Sequence, residues 1–66
     1  MLIKVCGEES QVPDAITIQE LITSRNLSGK GIIIAINENV IRRELWTSTR
    51  LNPDDNVEII RIVSGG

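Results

Sequence analysis

Hydrophobic positions along the chain fall into short β-branched runs separated by turn residues, with one stretch of helical period among them. Residues 2–6 form an apolar run that Gly7 ends, with Ile3 and Val5 on one face by the two-residue repeat of a strand. Gln11-Val12 is a weaker extended piece closed by Pro13-Asp14, and the two pieces predict a hairpin. The helix signal follows. Thr17 with Glu20 three residues on fits a capping box, and Ile16 with Leu21 fits the accompanying hydrophobic staple. Ile18, Leu21 and Ile22 make an apolar stripe, and Asn26 offers a left-handed stop, so the helix is expected over about 18–25. Ser28, Gly29, Lys30 and Gly31 then read as a polar turn.

The second half of the chain repeats the strand grammar. Residues 32–36 are almost purely β-branched, Asn37-Glu38-Asn39 supplies turn residues, and Val40-Ile41 resumes extension, which predicts a second hairpin. Residues 42–50 are mixed and suit a short helical turn around Leu45 and Trp46. Turn chemistry at Pro53-Asp54-Asp55-Asn56 precedes a last strand over 57–63. In that strand Val57 and Ile59 point one way, while Glu58, Ile60 and Ile62 point the other. The order is β-β-α-β-β-β, and with one helix to cover one face the two-layer solution is an α+β fold: a mixed four- to five-stranded sheet packed on one main helix.

Composition narrows the chemistry more than the fold. In 66 residues there is no His, Tyr or Phe, one Cys and one Trp. No Ser-His or Cys-His nucleophile pair can be built, nor the common imidazole-bearing zinc sites, so neither a self-contained enzyme nor a resident metal is expected. Seven Lys plus Arg against nine Asp plus Glu give a net charge of −2, the wrong sign for releasing counterions from nucleic acid. A single Cys cannot form an internal disulfide, and the start of the chain lacks a secretory pattern, so a cytoplasmic location without membrane attachment is expected. Cys6 has no visible base beside it and reads as a small hydrophobe filling space in the first strand. Asp54 and Asp55 read as solvated turn carboxylates, because an oxygen-ligand site needs more convergent groups.

Ser64-Gly65-Gly66 follows directly on an apolar strand. Residues 1–66 thus read as one domain with a flexible tail from about 64. This tail, with Ala35-Ile36-Asn37, Val40-Ile41, Arg43-Glu44-Leu45-Trp46 and Asp55-Asn56-Val57-Glu58-Ile59-Ile60, resembles the ubiquitin-like β-grasp sulfur carriers, and within them the ThiS family of thiamine biosynthesis. The sequence departs from the family pattern at two loop positions: Arg42 stands where Pro is frequent, and Asp54-Asp55 where Gly-Asp is frequent.

The resemblance implies that the working group is the α-carboxylate of Gly66. A ThiF-like adenylyltransferase would activate it with ATP and Mg²⁺, neither held by this chain, and a persulfide donor would replace AMP with sulfur. The resulting thiocarboxylate would serve a ThiG-like thiazole synthase. The Gly-Gly end alone is shared with molybdopterin synthase small subunits and with ubiquitin-like modifiers or binding modules, which stay open as alternatives. Ile60 and Ile62, two large aliphatics on the face opposite the helix, suggest a docking patch for the adenylating partner. Arg43 and Trp46 are read in two ways: as part of a docking site near the tail, or as a solvated Arg beside a Trp that plugs a core lacking Phe and Tyr.

Overall fold

The computed structural model describes residues 1–27 and 30–62. Strands β1 (Leu2–Val5), β2 (Glu8–Gln11), β3 (Ile32–Ile36), β4 (Asn39–Ile41) and β5 (Asn56–Arg61) form one mixed sheet in the order β2-β1-β5-β3-β4. Helix α1 (Ile18–Ser24) covers one face. The first and last strands pair in parallel at the centre of the sheet, Lys4 with Asn56 and Val5 with Val57, and the other pairings are antiparallel. This is the β-grasp arrangement.

Helix α1 has only seven residues, too few to be stable alone, so its ends and its buried stripe must hold it. The capping box is complete: the Glu20 N–H donates to Thr17 Oγ1 at 3.1 Å and the Thr17 N–H donates to Glu20 Oε1 at 2.9 Å. The backbone and hydroxyl donors of Thr17 hold the Glu20 carboxyl below the usual glutamate range. A depressed carboxylate pKa contributes stability above the unfolded-state value and loses it as pH falls through the folded value, so the cap weakens on acidification. The remaining first-turn donors are met by the chain after Trp46, with the Ile18 N–H on Thr49 O and the Gln19 N–H on Trp46 O. At the other end Asn26 takes φ +58°, the Leu27 N–H reaches Ile22 O and the Asn26 N–H reaches Thr23 O, which is a Schellman motif with Asn in place of Gly.

Ile18, Leu21 and Ile22 pack onto Ile3, Val5, Ile34 and Val57 from the sheet, with Ile16, Leu51 and Trp46 completing the core. Trp46 follows a single 3-10 turn (Arg43–Leu45), is 2% exposed, and donates its indole N–H to Ile41 O at 3.1 Å. The sole aromatic residue is therefore a fully buried plug whose polar atom has a partner.

Two expectations are corrected at the first hairpin. The second strand is Glu8–Gln11 rather than Gln11-Val12, and Cys6 lies outside the first strand, exposed in a two-residue turn with Gly7. Both turn residues have positive φ, +51° and +83°, the type I′ geometry whose right-handed twist matches the strands it joins. The Val5–Glu8 pairing closes it. Glu8-Glu9-Ser10-Gln11 was invisible to hydrophobic patterning because an edge strand can be held by backbone bonds with little side-chain burial. Asn37-Glu38 makes the second such turn between Ile36 and Asn39, with φ +49° and +73°.

Candidate functional site

The side chains of β5 divide as the two-residue period requires. Val57 is fully buried and Ile59 packs partly buried against the core, whereas Ile60 is 46% exposed and Ile62, just past the strand, is 53% exposed. Across the sheet, Ile60 is paired with Ile33, and Glu58 with Ala35, which in turn pairs with Val40. The face away from the helix therefore carries Ile60, Ile33, Ala35 and Val40 as adjoining apolar positions. Val40, at 68% the most exposed large hydrophobic among the described residues, was not singled out by the sequence. Its pattern signals extension but not the absence of a neighbour.

The exit of β5 toward the tail is fixed by Gly31. The Ile62 N–H donates to Gly31 O at 2.7 Å, Gly31 has φ +67°, and a Cβ there would lie 3.2 Å from Ile62 O. Only glycine meets both conditions without strain. The sequence marks Gly31 as a turn residue, but the strand it closes against is remote in the chain. Val63, Ser64, Gly65 and Gly66, with the expected end of the last strand, lie outside the described residues, as do Ser28 and Gly29.

Arg43 and Trp46 are brought together, with the guanidinium carbon 5.9 Å from the centre of the indole ring. The burial of Trp46 leaves Arg43 as the surface member of the pair, so Trp46 supports that surface from beneath. After Arg43 the chain turns to the start of α1, where the Gln19 N–H meets Trp46 O, whereas Ile62 bonds Gly31 beyond the other end of that helix, so the structure does not bring Arg43 together with Ile60 and Ile62.

The other candidate groups have structural work. Asp54 is exposed, but Asp55 is buried: it accepts the Asn52 N–H at 2.8 Å and the Asn37 side-chain amide at 3.1 Å, tying the second hairpin turn to the start of β5. This corrects the reading of Asp55 as solvated, since a buried carboxylate is retained where donors converge on it. Asp54 takes φ +67° after Pro53, with the Asp55 N–H returning to Asn52 O, the position of a type II turn that favours Gly. No group of three or more metal-ligating side chains occurs among the described residues.

The Cys6 thiol donates to Ile59 O at 3.8 Å. Its exposure overturns the expectation that replacing it deletes core volume. Because Asn tolerates the left-handed region better than Cys, Cys6→Asn is expected to raise the melting temperature by a few degrees, corresponding to about 0.5 kcal/mol. The resemblance to sulfur carriers implies that the variant and the parent are thiolated alike; a folded variant thiolated less than the parent would place the thiol in the chemistry.

The ThiS family model matches residues 2–66, through the terminal glycines. The chain belongs to the ThiS family. Over 64 residues, 97% of this chain and 90% of the relative, it is 34% identical to the uncharacterized protein ycf40 of Porphyra purpurea. It is 36% identical over 53 residues, 80% of each chain, to the sulfur carrier protein ThiS of Bacillus subtilis. The crystal structure of the thiamine biosynthesis protein ThiS from Geobacter metallireducens superposes with a TM-score of 0.87 at 25% identity, covering all of both chains. The solution structure of a thiamine biosynthesis protein from the same organism gives 0.80, covering all of this chain and 88% of that one. As in the ThiS fold, one helix packs on a mixed five-stranded sheet. No helix among the described residues is long and apolar enough to cross a membrane.

Proposed function

We propose that this member of the ThiS family is a cytoplasmic sulfur carrier for the thiazole ring of thiamine, a protein cosubstrate whose reacting atom is the Gly66 carboxyl carbon. The observation that carries the reading is the family match running through Gly65-Gly66 on a β-grasp domain. A carboxylate repels nucleophiles, so it must first acquire a leaving group. A ThiF-like adenylyltransferase with ATP and Mg²⁺ supplies it: a Gly66 oxygen attacks the α-phosphorus, pyrophosphate departs, and an acyl-adenylate forms. The outer sulfur of a persulfide donor then displaces AMP to form an acyl disulfide, and a thiol attacks the donor's sulfur in that disulfide, releasing the thiocarboxylate for a ThiG-like thiazole synthase and leaving the donor as a disulfide. The chain itself holds no cofactor in this scheme. Gly65 and Gly66, lacking Cβ atoms, suit a narrow channel, with Ser64 leading into it. Binding energy from the domain surface then positions the reacting end.

On this reading the apolar end of the open face, Ile60 and Ile62, meets the adenylating partner. The adenylating enzyme should catalyse ATP–pyrophosphate exchange only when the chain is present; exchange indifferent to it would contradict the proposal. Ile60→Asp is expected to weaken the exchange at least tenfold through lost docking while melting close to the parent, because Ile60 is half exposed. Ile59→Asp buries a charge beside the core and is expected to destabilise the domain by about 3 kcal/mol. Equal melting losses for the two variants, or unchanged exchange with Ile60→Asp, would remove the docking face.

A further inference from the structure

Among the described residues, the ladder between β3 and β5 has its outermost bond just past the strand. Ile33 pairs with Ile60 and Ile32 with Arg61, so Gly31 and Ile62 are the next pair outward, where the Ile62 N–H donates to Gly31 O at 2.7 Å. Bonded and non-bonded pairs alternate along an antiparallel ladder, which puts the next bonds inward at Ile60 and Ile33 rather than at Arg61. β1 gives no support at this level, because its register with β5 ends at the Val5–Val57 pair. The place of Ile62 thus depends on Gly31. That residue has φ +67°, and a Cβ on it would lie 3.2 Å from Ile62 O, so the atom forced to yield would be the carbonyl that leads into the tail.

We propose that Gly31 is a positioning residue for the reaction at Gly66: through its bond to Ile62 it fixes the point from which the tail extends and the direction in which it leaves. This role rests on the sulfur-carrier reading and deepens it. Four residues, Val63 to Gly66, follow the bond, and they span at most about 14 Å. With the bond open the outermost ladder bonds are those of Ile60, and the six residues beyond it span up to about 21 Å. Ile60, the residue placed against the adenylating partner, keeps its own bonds in both states. Docking is therefore unchanged, while the docked domain presents its carboxyl over a larger volume. Lengthening alone lowers the local concentration of the carboxyl about twofold, by the three-halves power of length. Loss of direction adds to this, since attack on the α-phosphorus of ATP needs alignment. Both effects fall on kcat rather than on the KM for the carrier.

The test is ATP–pyrophosphate exchange by the adenylating enzyme over a range of carrier concentrations, with thermal melts on the same samples. Two full-length variants are compared with the parent: Gly31→Ala, and a chain in which the amide of Ile62 is replaced by an ester, which removes the N–H and leaves every side chain in place. Both are expected to lower kcat about threefold or more with KM within about twofold of the parent, and the ester is expected to melt within a few degrees of it. This is the reverse of the pattern expected of Ile60→Asp, which acts through KM. A bond that served the fold alone would move the melting curve and leave the kcat of the folded chain in place. Variants that match the parent in kcat, or that raise KM with kcat unchanged, would overturn the positioning role while the sulfur-carrier reading stands. No exchange with the parent chain would overturn that reading and the positioning role with it.

Discussion

Removal of Gly66, or addition of one residue beyond it that is not processed away, is expected to abolish thiocarboxylate formation while leaving the melting curve of the domain in place. An added residue turns the Gly66 carboxyl into an amide, whose carbon no longer carries an oxygen that can attack ATP. Deletion keeps a glycine carboxylate but withdraws it by about 3.3 Å, the span of one extended residue. Reactions that depend on alignment lose rate steeply with displacements of that size. The fold does not share the sensitivity, because the core draws on residues between Ile3 and Val57 and the strand exit is held by the Gly31–Ile62 bond. Circular dichroism melts and intact mass on the same samples separate the two effects. Normal thiolation of the extended chain would show that the reacting carboxyl is elsewhere.

Trp46→Ala is expected to leave the domain largely unfolded at room temperature. Truncating a buried Trp costs about 3–5 kcal/mol, comparable with the whole stability that a core of this size supplies. Three features place Trp46 at the demanding end. It is 2% exposed, its indole N–H satisfies Ile41 O, and its own carbonyl accepts the Gln19 N–H at the start of α1. Neither Phe nor Tyr exists elsewhere in the chain to fill the space. Trp46→Phe retains most of the volume and should cost about 1–2 kcal/mol, for the lost indole bond to Ile41 O and the part of the indole space left unfilled. A Trp46→Ala variant that melts within a few degrees of the parent would mean that the core closes without the plug.

The elements that could be read from the sequence are those whose determinants are local. Thr17, Glu20 and Asn26 fix the ends of α1 through bonds spanning three to five residues, and the β-branched run 32–36 became β3 with the same bounds. What escaped depends on remote neighbours. Cys6 resembled the end of a strand because its apolar character continues Val5, yet the parallel β5 and the Val5–Glu8 pairing require a left-handed turn there. Asp55 looked solvated because Asn37 joins its local donor Asn52 only after the second hairpin docks on β5. Gly31 and Val40 belong to the same class: one is tied to Ile62, the other lies at an edge, and neither fact is contained in nearby residues. For the candidate site, the alternation along β5 identified Ile60 and Ile62 as outward facing, as the structure has them. The resemblance, rather than any pattern of periodicity, pointed to the chemistry of Gly66.

The central claim is that Gly66 carries sulfur as a thiocarboxylate. It is tested most directly by intact mass spectrometry of the full chain after incubation with the adenylating enzyme, ATP, Mg²⁺, a persulfide donor and a thiol reductant, with fragmentation to locate the change. The account predicts a mass gain equal to replacing one oxygen by sulfur, confined to Gly66 and dependent on ATP. An unmodified chain under conditions where the enzyme thiolates a known carrier, or a sulfur adduct located on Cys6, would contradict it.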